Sequence, residues 1–380
     1  MMTNHIAFYR FCSAVRRKGA LVLCLTLCTL GLGFAQDPKP TIITFDVPGA
    51  GPGAGGLNGT FPVDINPAGV ITGWYGVNPG INGFVRDRDG NFTPIPLPVI
   101  PYGINARGVI TGAYVTFSAT VPDDHGFVRD PDGTFTTFDV TGAASGQVCG
   151  TIPVSINEAG TISGYWCDSD YVYHGFVRDK DGWIRSFDAP HAGTKSGQGT
   201  FPNDPDGINP AGTISGYLVD AAGVEHGFVR DRDGRITEYD APHAGTESGQ
   251  GTYGVAINPA GMITGAYLDK NYVYHGFVRD PDGRITEFDG PDAGTLPYQG
   301  TGGSGINPSG VITGNCMHQN GVDHGIVRYP DGRIIEFDAH EASNGEAIFY
   351  TVGQSINPAG EITGYALDVS GFFHGFLLIP

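Results

Sequence analysis

From residue 41 onward, short runs rich in Ile, Val and aromatic residues alternate with turns bearing Gly and Pro, and the alternation returns in phase. One phrase carries it seven times: Ile-Asn, a tight turn ending in Gly, an Ile-Thr-Gly or Ile-Ser-Gly run, then a Gly-aromatic run. The anchors are Ile65-Asn66, Ile104-Asn105, Ile156-Asn157, Ile208-Asn209, Ile257-Asn258, Ile306-Asn307 and Ile356-Asn357, spaced 39, 52, 52, 49, 49 and 50 residues apart. Runs this short, β-branched and bounded by turn signals read as strands, and no sustained helical period competes with them. A self-similar period of this size marks a propeller or an array.

Each unit divides into four strands, A to D, which in the fifth copy fall at 252–258, 262–268, 274–280 and 284–289. The A–B turn Asn258-Pro259-Ala260-Gly261 and the C–D turn Asp280-Pro281-Asp282-Gly283 have Asn or Asp first, Pro second and Gly fourth, as type I turns prefer. Strand A carries a small residue before its Ile in six copies (Gly103, Ser155, Gly207, Ala256, Gly305, Ser355), with Asp64 the exception, which suits a crowded inner strand.

The chain ends fix the topology. The last copy stops after its third strand, and the missing D strand has its counterpart at the other end, where Thr41–Asp46 matches Arg284–Asp289. The expected fold is therefore all-β, a seven-bladed propeller over residues 36–380 whose ring is closed by the N-terminal strand. Short A–B and C–D turns share one rim. The variable B–C and D–A connections, such as residues 118–124, 190–205 and 341–347, share the other, where function on a rigid scaffold concentrates. The first D–A connection is about ten residues shorter around Leu97–Pro101, which would lower the wall there.

Residues 1–35 follow a different pattern: Arg10, Arg16, Arg17 and Lys18, an apolar run over 20–34, then small residues before Gln36. This is the layout of a signal peptide, too short in its apolar core for a membrane span, and it predicts a secreted or periplasmic protein. The leader holds four of the 21 basic residues and no acid, so the remainder sets 17 basic against 39 acidic residues, a net −22. That charge argues against nucleic acid or an anionic membrane as partner. Beyond the leader stand Cys149, Cys167 and Cys316. Cys149 and Cys167 fall nearly opposite each other across the A–B hairpin of the third copy. They are either a disulfide or two buried thiols, and Cys316 has no evident partner.

Candidate chemistry is repetitive. His125, His174, His226, His275, His324 and His374 precede Gly-Phe or Gly-Ile in six copies, and Asn82 stands there in the first. Ring geometry places these positions roughly 15 Å from the axis at about 4.8 Å per strand, so they cannot converge on one ion, and a repeated structural hydrogen bond is expected. The recurrent Asp-x-Asp-Gly lacks the later carboxylate of a calcium loop and reads as turn chemistry. No metal or other cofactor is expected. His191 and His243 lie in near-duplicate D–A loops, and Trp166, Tyr171 and Tyr272 lie at the same rim; these five are the candidate ligand contacts, with packing between blades as the competing role. No nucleophile elbow, zinc-protease motif or phosphate loop occurs.

At the level of the whole repeat, residues 41–380 resemble the bacterial extracellular HAF-repeat proteins, through Ile-Asn-x-x-Gly-x-Ile-x-Gly followed by His-Gly-Phe, with Gly where the family name has Ala. The resemblance implies export and a repetitive β architecture, and carries over no catalytic residue. The expected function is a monomeric, non-catalytic scaffold that binds an extracellular glycan or protein on its long-loop rim. The alternative is a polysaccharide-active hydrolase or lyase on the same scaffold.

Overall fold

The computed structural model describes residues 40–51, 58–78, 80–118, 121–144, 149–339 and 348–380; the leader over 1–35 and the 341–347 connection lie outside the described residues. Strand pairing among them divides into seven four-stranded antiparallel sets, arranged as a β-propeller. In the third blade the register runs Thr151↔Trp166 and Tyr165↔Gly175 to Gly175↔Phe187. The seventh set is completed from the N-terminus, where Thr41–Phe45 pairs with Phe373–Ile379 from Thr41↔Ile379 to Phe45↔Gly375.

The repeated phrase now has a physical account. Each anchor Asn caps its own A–B turn, and six of the seven also clasp the next blade. The Asn258 Oδ1 accepts from the amides of Ala260 and Met262, both at 3.0 Å, while its Nδ2 donates to the Asn307 carbonyl at 3.1 Å. Equivalent side-chain bonds run from Asn66 to Asn105, Asn105 to Asn157, Asn157 to Asn209, Asn209 to Asn258 and Asn357 to Asn66. These amides are buried, so each such bond replaces a group that would otherwise be left unsatisfied.

The His-Gly-Phe run is equally specific. In the third blade His174 Nδ1 meets Asp188 Oδ1 at 2.8 Å, Gly175 leaves room for the Phe187 ring, and Phe176 is fully buried. A Cβ on Gly175 would stand 2.6 Å from that ring, so the glycine is there to admit the aromatic of strand D. The next residue, Ala189, donates its amide to Thr200 on strand A of the following blade at 2.9 Å. At the junction of blades one and two the histidine, the aspartate and the threonine are all replaced, by Asn82, Pro96 and Val99, so the polar lock is deleted as a unit. Val99 is fully buried there beside Gly83, which fills the shortened connection with apolar contact.

Strand A is crowded, as its small residues suggest: a Cβ on Gly103 would lie 3.3 Å from the Ser155 Cα of the next blade. The sequence does not announce the β-bulge that precedes the small residue, seen for example between Gly254 and Ala256. In the fourth blade the bulge is enlarged to Asn203–Asp206. Asp206 thereby reaches the axis, where Ser355 Oγ contacts both Asp64 Oδ1 at 2.8 Å and Asp206 Oδ2 at 3.4 Å.

Candidate functional site

The rim of the long connections holds an open cleft of about 660 Å³ in the fifth blade, lined by His243, Tyr267, Asp269, Lys270, His275, Glu287 and Asp289 among others. Strand B (Ile263–Leu268) supplies Tyr267, and strand C (Tyr274–Arg279) supplies His275. The D–A loop arriving from the fourth blade supplies His243. Tyr267 stacks on His275 with ring centroids 4.9 Å apart. His275 Nδ1 lies 2.8 Å from Asp289, and His243 Nδ1 lies 2.6 Å from Glu287. The Asp289 carboxylate raises the His275 pKa against the opposing effect of partial burial. Burial, reinforced by Glu287 and Asp289, raises that of Tyr267.

These polar groups are arranged as pairs, and the pairs recur. In the fourth blade His226 meets Asp240 at 2.9 Å and His191 meets Glu238 at 2.5 Å. In the third, Trp166 stacks on His174 at 4.4 Å and donates its Nε1–H to Ser186 at 3.0 Å, which makes it half-buried packing within its own blade. Of the five residues picked out by sequence, His243 lines the cleft, Tyr272 belongs to the same B–C turn as Lys270, and His191, Tyr171 and Trp166 occupy corresponding places in the neighbouring two blades.

Backbone conformation singles out the tyrosines. Tyr171, Tyr272 and Tyr298 have φ of 60°, 61° and 65°, and no other non-glycine among the described residues takes a positive φ. The corresponding B–C turn residues in blades four, six and seven are Gly223, Gly321 and Gly371; the counterparts of Tyr298 are Gly197 and Gly249. The left-handed region costs an L-residue about 1 kcal/mol that glycine avoids. Tyr272 and Tyr298 are neighbours, with ring centroids 5.7 Å apart and the Tyr298 amide donating to the Tyr272 carbonyl at 2.6 Å. Tyr298 is 45% exposed, and Leu296 beside it 49%. Sequence reasoning missed Tyr298, although aligning the D–A loops copy by copy sets it against two glycines.

Cys149 and Cys167 are joined in a disulfide, with Cα atoms 5.9 Å apart across the A–B hairpin. Cys316, left without a partner by sequence, is buried against the Thr301 hydroxyl with His318 and Glu336 nearby.

No protein-family model matches the chain, and neither does any curated protein. Among solved structures the chain is similar to a streptogramin B lyase, at 13% identity over 89% of this chain and 98% of that one, with a TM-score of 0.55. It is likewise similar to the virginiamycin B lyase of Staphylococcus aureus, at 14% identity over 90% of this chain and all of that one, with a TM-score of 0.54. At such identities the likeness shows the β-propeller fold and nothing of the activity.

Proposed function

We propose that this protein is an exported, non-catalytic propeller of the HAF-repeat kind that binds an extracellular glycan at the rim of its fifth and sixth blades. The observation that carries the reading is the Tyr272–Tyr298 pair, two side chains kept at backbone positions where sister blades have glycine. Strain retained at the exposed Tyr298 points to a use for the ring, and the half-buried Tyr272 is held beside it, its hydroxyl donating to the Ser248 carbonyl at 3.2 Å. Amphipathic rings bury sugar faces at little entropic cost, and the adjoining Lys270, Asp269 and His243 offer hydrogen bonds to hydroxyls. A hydrolase or lyase needs one asymmetric constellation with distinct roles. The carboxylates of this cleft instead face imidazoles, and the fourth blade repeats the arrangement.

The glycine-bearing blades suggest the test. Tyr272→Gly and Tyr298→Gly relieve the left-handed strain but add backbone freedom to the unfolded chain, two terms of roughly 1 kcal/mol that offset. The melting temperature should therefore stay within a few degrees of the parent. Binding on a glycan array should fall by at least about tenfold for each variant, the loss of roughly 1.4 kcal/mol of ring contact. Variants that melt far lower would show the rings to be structural. Turnover of a polysaccharide by the purified chain would favour the enzyme, and capture of a protein ligand in place of a glycan would correct the ligand class.

A further inference from the structure

Three of the sixth blade's departures from its sisters face the same point. On strand B, Cys316 occupies the position held elsewhere by Tyr75, Tyr114, Trp166, Leu218, Tyr267 and Ala366. Two residues on, His318 replaces the aspartate found as Asp168, Asp220, Asp269 and Asp368. After the Phe-Asp of the preceding blade, Gly290 replaces the Val or Ala seen as Val47, Val140, Ala189, Ala241 and Ala339. A Cβ there would stand 2.5 Å from the Cys316 sulfur. The fourth member is Glu336 on strand D, whose Oε1 lies 3.0 Å from His318 Nε2.

We propose that Cys316, His318 and Glu336 form a binding site for a divalent metal ion of the zinc type. Their ligand atoms all lie within 4.8 Å of one another. Tetrahedral donors around zinc stand about 3.5 Å apart, given bonds of about 2.0 Å to nitrogen and 2.3 Å to sulfur. The His318–Glu336 separation already suits two ligands of one ion, and the sulfur lies within 4.8 Å of both. One sulfur, one imidazole nitrogen and one carboxylate oxygen form a donor set that favours zinc over calcium or magnesium.

The outer contacts orient the set. The Thr301 hydroxyl, which accepts the Gly290 amide at 2.8 Å, donates to the sulfur at 3.5 Å. The His318 ring packs on that of His324 at 4.2 Å, and His324 is held in turn by Asp338 at 2.7 Å. Such partners fix ligand orientation in metal sites. The carboxylates of Glu336, Asp323 and Asp289 act on the Cys316 sulfur, a local charge that favours a cation, and Cys316 is a free thiol. A metal ion would release the thiol proton to solvent and bind the thiolate. This site stands apart from the glycan reading and survives its failure.

Cobalt(II) is the probe, added to the full chain with leader residues Cys12, Cys24 and Cys28 changed to serine. The expected result is one equivalent bound, a near-ultraviolet thiolate-to-cobalt charge-transfer band, release of a proton, and displacement by zinc. Cys316→Ser should abolish the band, and His318→Asp, which restores the residue of the sister blades, should weaken binding at least about tenfold. Glu336→Gln, at a half-exposed position, gives the same reading should the buried cysteine variant fail to fold. Absence of the band in the parent chain, or cobalt binding unchanged in His318→Asp and Glu336→Gln, would overturn the assignment.

Discussion

Deleting residues 36–47 is expected to leave the chain without a cooperative melting transition, whereas deleting residues 36–39 alone should leave it nearly unchanged. The segment supplies the fourth strand of the last blade, and its side chains bind both blades that it touches. Phe45 lies over Gly375, where a Cβ would come within 2.5 Å of the ring, and the Arg86 guanidinium of blade one covers the same ring at 4.7 Å. Asp46 meets His374 at 3.0 Å, and the Val47 amide donates to Thr60 at 3.0 Å. Removing one buried Phe alone costs about 3–5 kcal/mol, and a typical domain has only about 5–15 kcal/mol in total. The deletion also exposes the edge of Phe373–Ile379 and unfastens the ring. Circular dichroism melts of the two truncations decide it. A synthetic 36–47 peptide added in trans should restore part of the transition, and a deletion chain that still melts cooperatively within a few degrees of the parent would refute velcro-like closure.

This closure was legible because it is a counting argument: a period with one piece missing at the end and the same piece at the beginning. The turns were legible for a related reason, since Asn-Pro-Ala-Gly and Asp-x-Asp-Gly encode local chemistry. What escaped were contacts between copies. The anchor Asn reads as a turn residue, yet its Nδ2 clasp to the next blade depends on where closure sets that blade. The bulge in strand A leaves no period-2 signature that six short residues can display. The strained tyrosines were half visible. Tyr171 and Tyr272 drew attention as aromatics, while the informative fact was that sister turns use Gly223, Gly321 and Gly371. Cys316, His318 and Glu336 come from strands B and D of one blade, 18 residues apart between the two that touch at 3.0 Å, and no metal motif has that spacing. Comparing copies for coordinated departures, and not only for similarity, would have found them.

The fold is expected to be more stable at pH 5 than at pH 8. Four acids have pKa values raised by their surroundings. Burial raises Asp64 to about 6, Glu225 to about 7 and Asp323 to about 7, and burial together with the charge of Asp64 raises Asp206. An acid whose pKa is higher folded than unfolded favours the native state while protonated, and that contribution is lost as pH rises through its folded pKa. For Asp64, Glu225 and Asp323 the window opens near their unfolded values of about 4 and closes at about 6 for Asp64 and about 7 for the other two. His226 and His275, raised by Asp240 and Asp289, act in the same direction at higher pH. In His374, Asp46 and Asp368 together outweigh burial, the largest single influence, with the same result. Asp220 has the opposite sign, because amide hydrogen bonds and His226 outweigh its burial, and its contribution fades only as pH falls below about 4. Raising Asp64, Glu225 and Asp323 from about 4 to about 6 or 7 corresponds to at most roughly 3–4 kcal/mol each. A net loss of about 3–6 kcal/mol between pH 5 and 8 is therefore expected in urea unfolding. Asp206→Asn should flatten the profile, because it removes one acid of the axial pair while Ser355 still bonds Asp64. A profile that is level, or that rises from pH 5 to 8, would mean that these acids ionise in the native state and that water reaches the axis.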